Sequence, residues 1–249
     1  MFPLRDDNPT ILTPFVTIVL ILANFGVWVY VQGMGFDTGV LADSVCRLGT
    51  IPAEITGQTA GYDGVDLGED LPPCVFGGVT YAAMATSMFL HGSWLHLITN
   101  MWFLWLFGNN VEDSMGHIRF VFFYLITGVA AAAAHVFVTP GSPVPMVGAS
   151  GAISGVMGGY LVLYPRTRIE TLFIFIIFLR IIPVPAWFVL ILWFGLQVMS
   201  GYADPVSTGG VAVWAHVGGF VAGVLLIKLF ENRALVAARQ QQVQVGGTG

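Results

Sequence analysis

Charge is what this chain has least of. Of its 249 residues, 9% are Asp, Glu, Lys or Arg, against roughly 25% in soluble domains. With 56% hydrophobic residues and a mean hydropathy of +0.80, that scarcity excludes an ordinary soluble enzyme. It implies a polytopic membrane protein in contact with a lipid bilayer. Positive charge is the rarer sign: nine Lys and Arg face fourteen Asp and Glu, for a net charge of -5. No basic stripe exists, so no nucleic-acid partner is expected. Cysteine is limited to Cys46 and Cys74. Two thiols in one polar loop do not make a zinc site, and neither metal nor cofactor is expected. A cleavable signal is not expected either, because the start Met1 to Asp7 is polar and mixed in charge.

What the chain does have is long apolar runs. A helix needs about 20 apolar residues to cross the hydrocarbon, and six segments approach that: 13–31, 95–110, 118–138, 147–164, 185–200 and 212–230. The expected fold is all-α, with a six-span domain over 13–230 and a cytoplasmic segment over 1–12. A long outer loop is expected at about 32–90, and a disordered cytoplasmic tail over 231–249. The apolar stretch 169–179, bounded by Arg168 and Arg180, is too short to span as a helix, at ~16 Å. It reads as interfacial or re-entrant.

Charge sets the orientation. With the N-terminus inside, Arg5, Arg119, Arg166, Arg168, Arg180, Lys228, Arg233 and Arg239 fall on the inner side. Only Arg47 falls outside, which satisfies the positive-inside bias. The outer loop is acidic and holds both cysteines. On an oxidising side they can form a disulfide.

Two glycine-rich segments then carry reactive side chains into the membrane. They are Gly148-Ala149-Ser150-Gly151 and Ala215-His216-Val217-Gly218-Gly219. Six spans make every even-numbered helix enter from the outside. Ser150, His216, His96 and Asn100 all lie near such helix starts, at matched depth. Gly151, Gly155 and Gly159 recur at four-residue steps in the fourth span; Ala215, Gly219 and Gly223 do so in the sixth. Small residues at that spacing let backbones approach closely in lipid. The same pattern also serves plain helix packing, so the matched depth of Ser150 and His216 decides for chemistry.

A serine hydroxyl is a weak nucleophile and needs an adjacent base. His216 can supply it. No acidic residue lies near these helix starts, so the reading is a Ser150–His216 dyad. His96 and Asn100 share one helical face and can donate hydrogen bonds toward a developing oxyanion, as can the Ser150 backbone N–H. Ser154, one turn deeper, is the weaker candidate nucleophile. His91 reads as a helix cap or a lining of the water entry. His135 and His117 read as structural, and Glu112 and Asp113 as fixing an inner loop.

These motifs resemble the rhomboid intramembrane serine proteases. The resemblance rests on His91-Gly92-Ser93-Trp94-Leu95-His96 with Asn100, on Gly108 to Gly116, on Gly148 to Gly151, and on Ala215 to Gly223. It implies Ser150 as nucleophile, His216 as base, and an oxyanion hole of His96, Asn100 and the Ser150 N–H. It implies single-pass transmembrane proteins as substrates. A bacterial plasma membrane is expected as the setting, because no transit peptide or large extra domain is seen. Trp187, Phe188, Trp193 and Phe194 resemble the family's lateral gate, and 201–211 its cap. Some members carry Trp-Arg in the first outer loop, where this chain has Thr80-Tyr81-Ala82-Ala83. Others place an aromatic four residues after the nucleophile, against the histidine. Here that residue is Ser154, so His216 is expected to be held by Ser154 or by packing. The competing functions are a catalytically silent relative that binds membrane clients and a small transporter. The silent relative would usually lack the serine or the histidine. The transporter would need polar residues on both halves of the membrane.

Overall fold

The computed structural model describes residues 2–60, 64–65, 73–77, 81–175, 178–203 and 212–246. A short strand, β1 (Phe2–Asp6), opens the chain and leads into helix α1 (Phe15–Tyr30). Short helices α2 (Thr38–Leu48), α3 (Pro52–Thr56) and α4 (Ala83–Thr86) follow before the next long helix. The bundle continues with α5 (Trp94–Met115), α6 (His117–Val138) and α7 (Ser150–Leu163). Strands β2 (Arg168–Phe175) and β3 (Phe178–Pro185) precede α8 (Ala186–Ala203) and α9 (Val213–Phe230). The final helix is α10 (Arg233–Gly246).

The chain is mostly helical, and each of the six expected spans contains a helix. By length and apolarity, α6, α8 and α9 could cross a membrane, while α1 and α7 are shorter apolar helices. Local chemistry fixes the ends. Asp37 caps α2 by accepting from Gly39 N and Val40 N, and Ser93 caps α5 by accepting from His96 N. Between α5 and α6 the chain turns at Gly116, whose φ of 81° favours a residue without a side chain.

Two expectations need correction. The fold is not purely helical, because β1, β2 and β3 form an antiparallel sheet in that order. Of the stretch expected to be interfacial or re-entrant, 169–175 and 178–179 lie in strands β2 and β3. The β-branched and aromatic residues there suit a strand as well as a helix, and length alone could not decide. The tail is not disordered over 233–246 but forms α10. Arg239 of α10 is buried; it hydrogen-bonds Asn110, lies 3.8 Å from Asp113 and sits 4.3 Å over the Tyr164 ring.

The same end of the bundle holds a polar network. Tyr160 Oη donates to Asp6 Oδ2 at 2.6 Å, and Asn110 Nδ2 donates to the same oxygen at 2.8 Å. Burial pushes the Asp6 carboxyl up to about 6. Glu112 is fully buried and accepts from Val16 N, Thr17 N and Thr17 Oγ1 at 2.9, 2.8 and 2.7 Å. It therefore anchors the N-terminus of α1, where its charge also meets the helix dipole favourably, rather than fixing a loop. His117 Nδ1 contacts Glu112 Oε1, the oxygen that also accepts from Val16 N, at 2.6 Å. Between α1 and α5, Cys46 and Cys74 are joined, with Cα atoms 5.5 Å apart.

The tightest packing is between α7 and α9. A side chain at Gly219 would strike the Gly151 carbonyl, one at Gly223 the Gly155 carbonyl, and one at Gly158 the Phe220 carbonyl. Gly159 meets α9 only through the Ile227 side chain, beside Phe123 of α6. Large apolar side chains such as Phe15, Leu22, Ile118, Phe137 and Leu225 point outward, as a lipid-facing surface requires.

Candidate active site

The backbone-to-backbone crossing of α7 and α9 brings two side chains from distant sequence together. Ser150, the first residue of α7, places Oγ 2.7 Å from His216 Nε2 on α9. Gly219 is three residues from His216, so the contact that closes the helices lies on the same face as the imidazole. The far side of the ring is also engaged: His216 Nδ1 lies 2.8 Å from Gln197 Oε1 on α8. Trp193 of α8 packs beside the ring, with centroids 5.9 Å apart. Among the described residues no carboxylate reaches the imidazole.

Of the two expected supports for His216, Ser154 and packing, Ser154 supplies none, while Trp193 packs beside the ring. Ser154 Oγ donates to the Ser150 carbonyl at 2.6 Å, which ties up its hydroxyl along its own helix. The sequence reading missed Gln197. The signal was present, because Gln197 is an amide in an otherwise apolar segment, but its helical phase relative to α9 could not be read.

His96 and Asn100 line the same cavity as the dyad. Gly148, with φ of 128°, leaves room that a side chain would fill, since a Cβ there would lie 2.9 Å from His96 Nε2 and 3.5 Å from Ser150 Oγ. Gly92 N donates to His96 Nδ1, at a long 3.4 Å. A neutral ring in that bond carries its proton on Nε2, facing Ser150. Asn100 Nδ2 is buried without a partner, and a buried unpaired donor is costly unless it serves a ligand. The Ser150 N–H stands ahead of the first intrahelical bond of α7, from Ile153 N to Ala149 O, so the helix itself does not consume it.

These groups line a cavity of about 740 Å³ that also includes Trp193, Gln197 and His135. His135 was expected to be structural; it faces the cavity, and its Nδ1 has no partner. His91 neither caps α5 nor lines this cavity. It is buried against the His96 ring at 5.1 Å, and its backbone is clasped by the Gln32 side chain through two 2.8 Å bonds. Burial lowers its pKa to about 3, so it stays neutral.

The four aromatic residues of the expected gate divide. Trp193 and Phe194 pack on the His216 side of α8, with Phe194 stacked on Phe220 at 4.6 Å. Trp187 and Phe188 face outward, and Trp187 N bonds Pro165 O. Six residues of helix separate Trp187 from Trp193, about 9 Å. Most of the expected cap, over 204–211, and Thr80 of the outer loop lie outside the described residues.

Residues 80–233 match the family model described as the Rhomboid domain. The chain belongs to the rhomboid family. It is 29% identical over 167 residues to "Rhomboid protein 1, mitochondrial" of Saccharomyces cerevisiae, covering 65% of this chain and 45% of the relative. It is 43% identical over 70 residues to "Rhomboid-like protein 11, chloroplastic" of Arabidopsis thaliana, covering 28% and 25%. With "Rhomboid-like protease 5" of Toxoplasma gondii it shares 30% over 142 residues, covering 55% and 15%. The chain thus spans less than half the length of each of these rhomboid relatives. Two of them carry an organelle in their names, so they lend no support to a bacterial plasma membrane.

Proposed function

We propose that this rhomboid is an intramembrane serine endopeptidase that cleaves single-pass membrane proteins in or beside their spans. The observation that carries the reading is the 2.7 Å approach of Ser150 Oγ to His216 Nε2. Ser150 Oγ attacks the scissile carbonyl carbon while His216 Nε2 takes the hydroxyl proton. The carbonyl oxygen becomes an oxyanion that accepts from His96 Nε2–H, Asn100 Nδ2–H and the Ser150 N–H. The tetrahedral species collapses: the C–N bond breaks, and His216 returns the proton to the leaving amine. Water then adds to the acyl-serine with His216 again as base, releasing the new carboxyl end and restoring Ser150.

Six helices, α1 and α5 to α9, form the membrane domain in this proposal. The site opens to the outer side, both described ends lie inside, and α8 serves as the side of substrate entry. The supports are the distribution of Arg and Lys, the outward apolar side chains, and the shared end of β1, α10 and the β2–β3 hairpin. The test is a purified, liposome-reconstituted protein given a single-span model substrate. Wild type yields two fragments, and Ser150→Ala and His216→Ala yield none. A wild type that binds the substrate without cleaving it would make the chain a client-binding relative instead.

A further inference from the structure

An imidazole that is to accept the Ser150 proton must offer a lone pair at Nε2, and so must carry its own proton on Nδ1. In serine hydrolases of the triad type a carboxylate enforces that tautomer. Here the acidic side chains of the helix bundle are committed elsewhere. Glu112 holds α1, Asp113 accepts from Ile11 N and Leu12 N, and Glu231 pairs with Lys228. What stands at Nδ1 is the amide of Gln197, with Oε1 at 2.8 Å.

An amide oxygen can only accept, and an amide NH2 can only donate. With Oε1 toward the ring, His216 is Nδ1–H and Nε2 is free to take a proton. With the amide turned over, the ring would become Nε2–H and could only donate to Ser150. One neutral side chain therefore decides whether the pair is primed.

Gln197 also sits on the helix least held by the rest of the bundle. The buried residues of α8 are Ala186, Val189 and Leu190, all in its first half. Ile191, Leu192, Leu196 and Met199 point outward. Beyond Leu190, the described ties of α8 to α9 include the rings of Trp193, Phe194 and Tyr202 and the Gln197 bond itself.

We propose that Gln197 is the positioning residue of the dyad: its Oε1 fixes the Nδ1–H tautomer of His216, so the base is competent only while α8 is seated on α9. This inference rests on the Ser150–His216 reading and deepens it. The remaining ionisable groups whose charge reaches His216 are His96 on α5 and His135 on α6.

The test uses the full chain in liposomes with a single-span substrate, and it measures kcat, KM and the pH profile of kcat. Gln197→Met keeps length and removes the acceptor; kcat should fall on the order of 10–100-fold with KM little changed, as expected when only the base is mis-set. Gln197→Glu restores an acceptor. Its kcat should recover most of that loss, and the limb of the profile that reports the base should move to higher pH, because a carboxylate favours the imidazolium. Both profiles are repeated with His135→Gln, so that a moved limb belongs to His216. A residue that merely fills space predicts the reverse: Met tolerated, Glu damaging and no moved limb. Wild-type kcat in Gln197→Met, or an unmoved limb in Gln197→Glu, overturns the proposal. If Gln197→Met does not fold, the Glu profile alone decides. Cleavage that survives in Ser150→Ala would remove the dyad and this inference together. An inactive Ser150→Ala beside a fully active Gln197→Met removes this inference alone.

Discussion

Gly219→Ala is the sharpest perturbation the α7–α9 seam offers. The added Cβ would fall against the Gly151 carbonyl oxygen, well inside the 3.0 Å that such atoms keep. Both partners are backbone, so no rotamer change relieves the clash, and the Ala131 methyl at 3.2 Å closes one side. The helices must separate by about an ångström, and overpacking of this kind costs roughly 1–3 kcal/mol. His216 is three residues away and moves with the helix. A shift of that size stretches the 2.7 Å Ser150–His216 bond to about 3.6 Å, where it no longer counts as a hydrogen bond. Misplacement of a reacting group by about 1 Å can cost on the order of 100-fold in rate. Gly26→Ala is the control, since a Cβ at Gly26 meets nothing within 4 Å. The assay is the rate of fluorophosphonate labelling in detergent beside thermal unfolding. Gly26→Ala should match wild type in both. A folded Gly219→Ala labelled at the wild-type rate would refute the claim that this close crossing sets the dyad.

Two further outcomes follow from the end of the bundle that holds β1 and α10. Glu112→Ala removes the acceptor for Val16 N, Thr17 N and Thr17 Oγ1 and leaves buried donors unpaired, which should cost about 3–5 kcal/mol in denaturant unfolding; a loss near zero would contradict that anchoring role. Asp6 has its folded pKa raised to about 6 by burial, above its unfolded value. Its contribution is therefore greatest below about pH 4 and is lost as pH rises through 6, by up to about 3 kcal/mol. The stability difference between wild type and Asp6→Asn should change over that window, and a constant difference from pH 4 to 8 would deny the effect.

Much of this site was legible because its geometry follows from periodic patterns. The glycine steps at 151 and 155 and at 219 and 223 name the close crossing, and counting spans places Ser150 and His216 at one depth. The third close approach, at Gly158 rather than Gly159, shows how a pattern fixes a face but not its last residue. What resisted reading depends on relative phase or on distant pairing. Gln197 needed the rotation of α8 about its own axis. The sheet needed Phe2–Asp6 to find a partner more than 160 residues away. Among the described residues, the buried cation Arg239 ties α10 to Asn8, Asn110, Asp113 and Tyr164, which come from three other regions. The strands at 168–175 and 178–185 were not readable as strands, since length alone does not separate helix from strand in a short apolar run.

The most direct measurement is to identify the residue that a fluorophosphonate modifies. Wild-type protein is labelled in detergent and digested, and the phosphonylated peptide is sequenced by mass spectrometry. The adduct should sit on Ser150 Oγ and vanish in His216→Ala, because only a hydroxyl relieved of its proton by that imidazole is reactive. An adduct on Ser154, or undiminished labelling without His216, would contradict the account at its root.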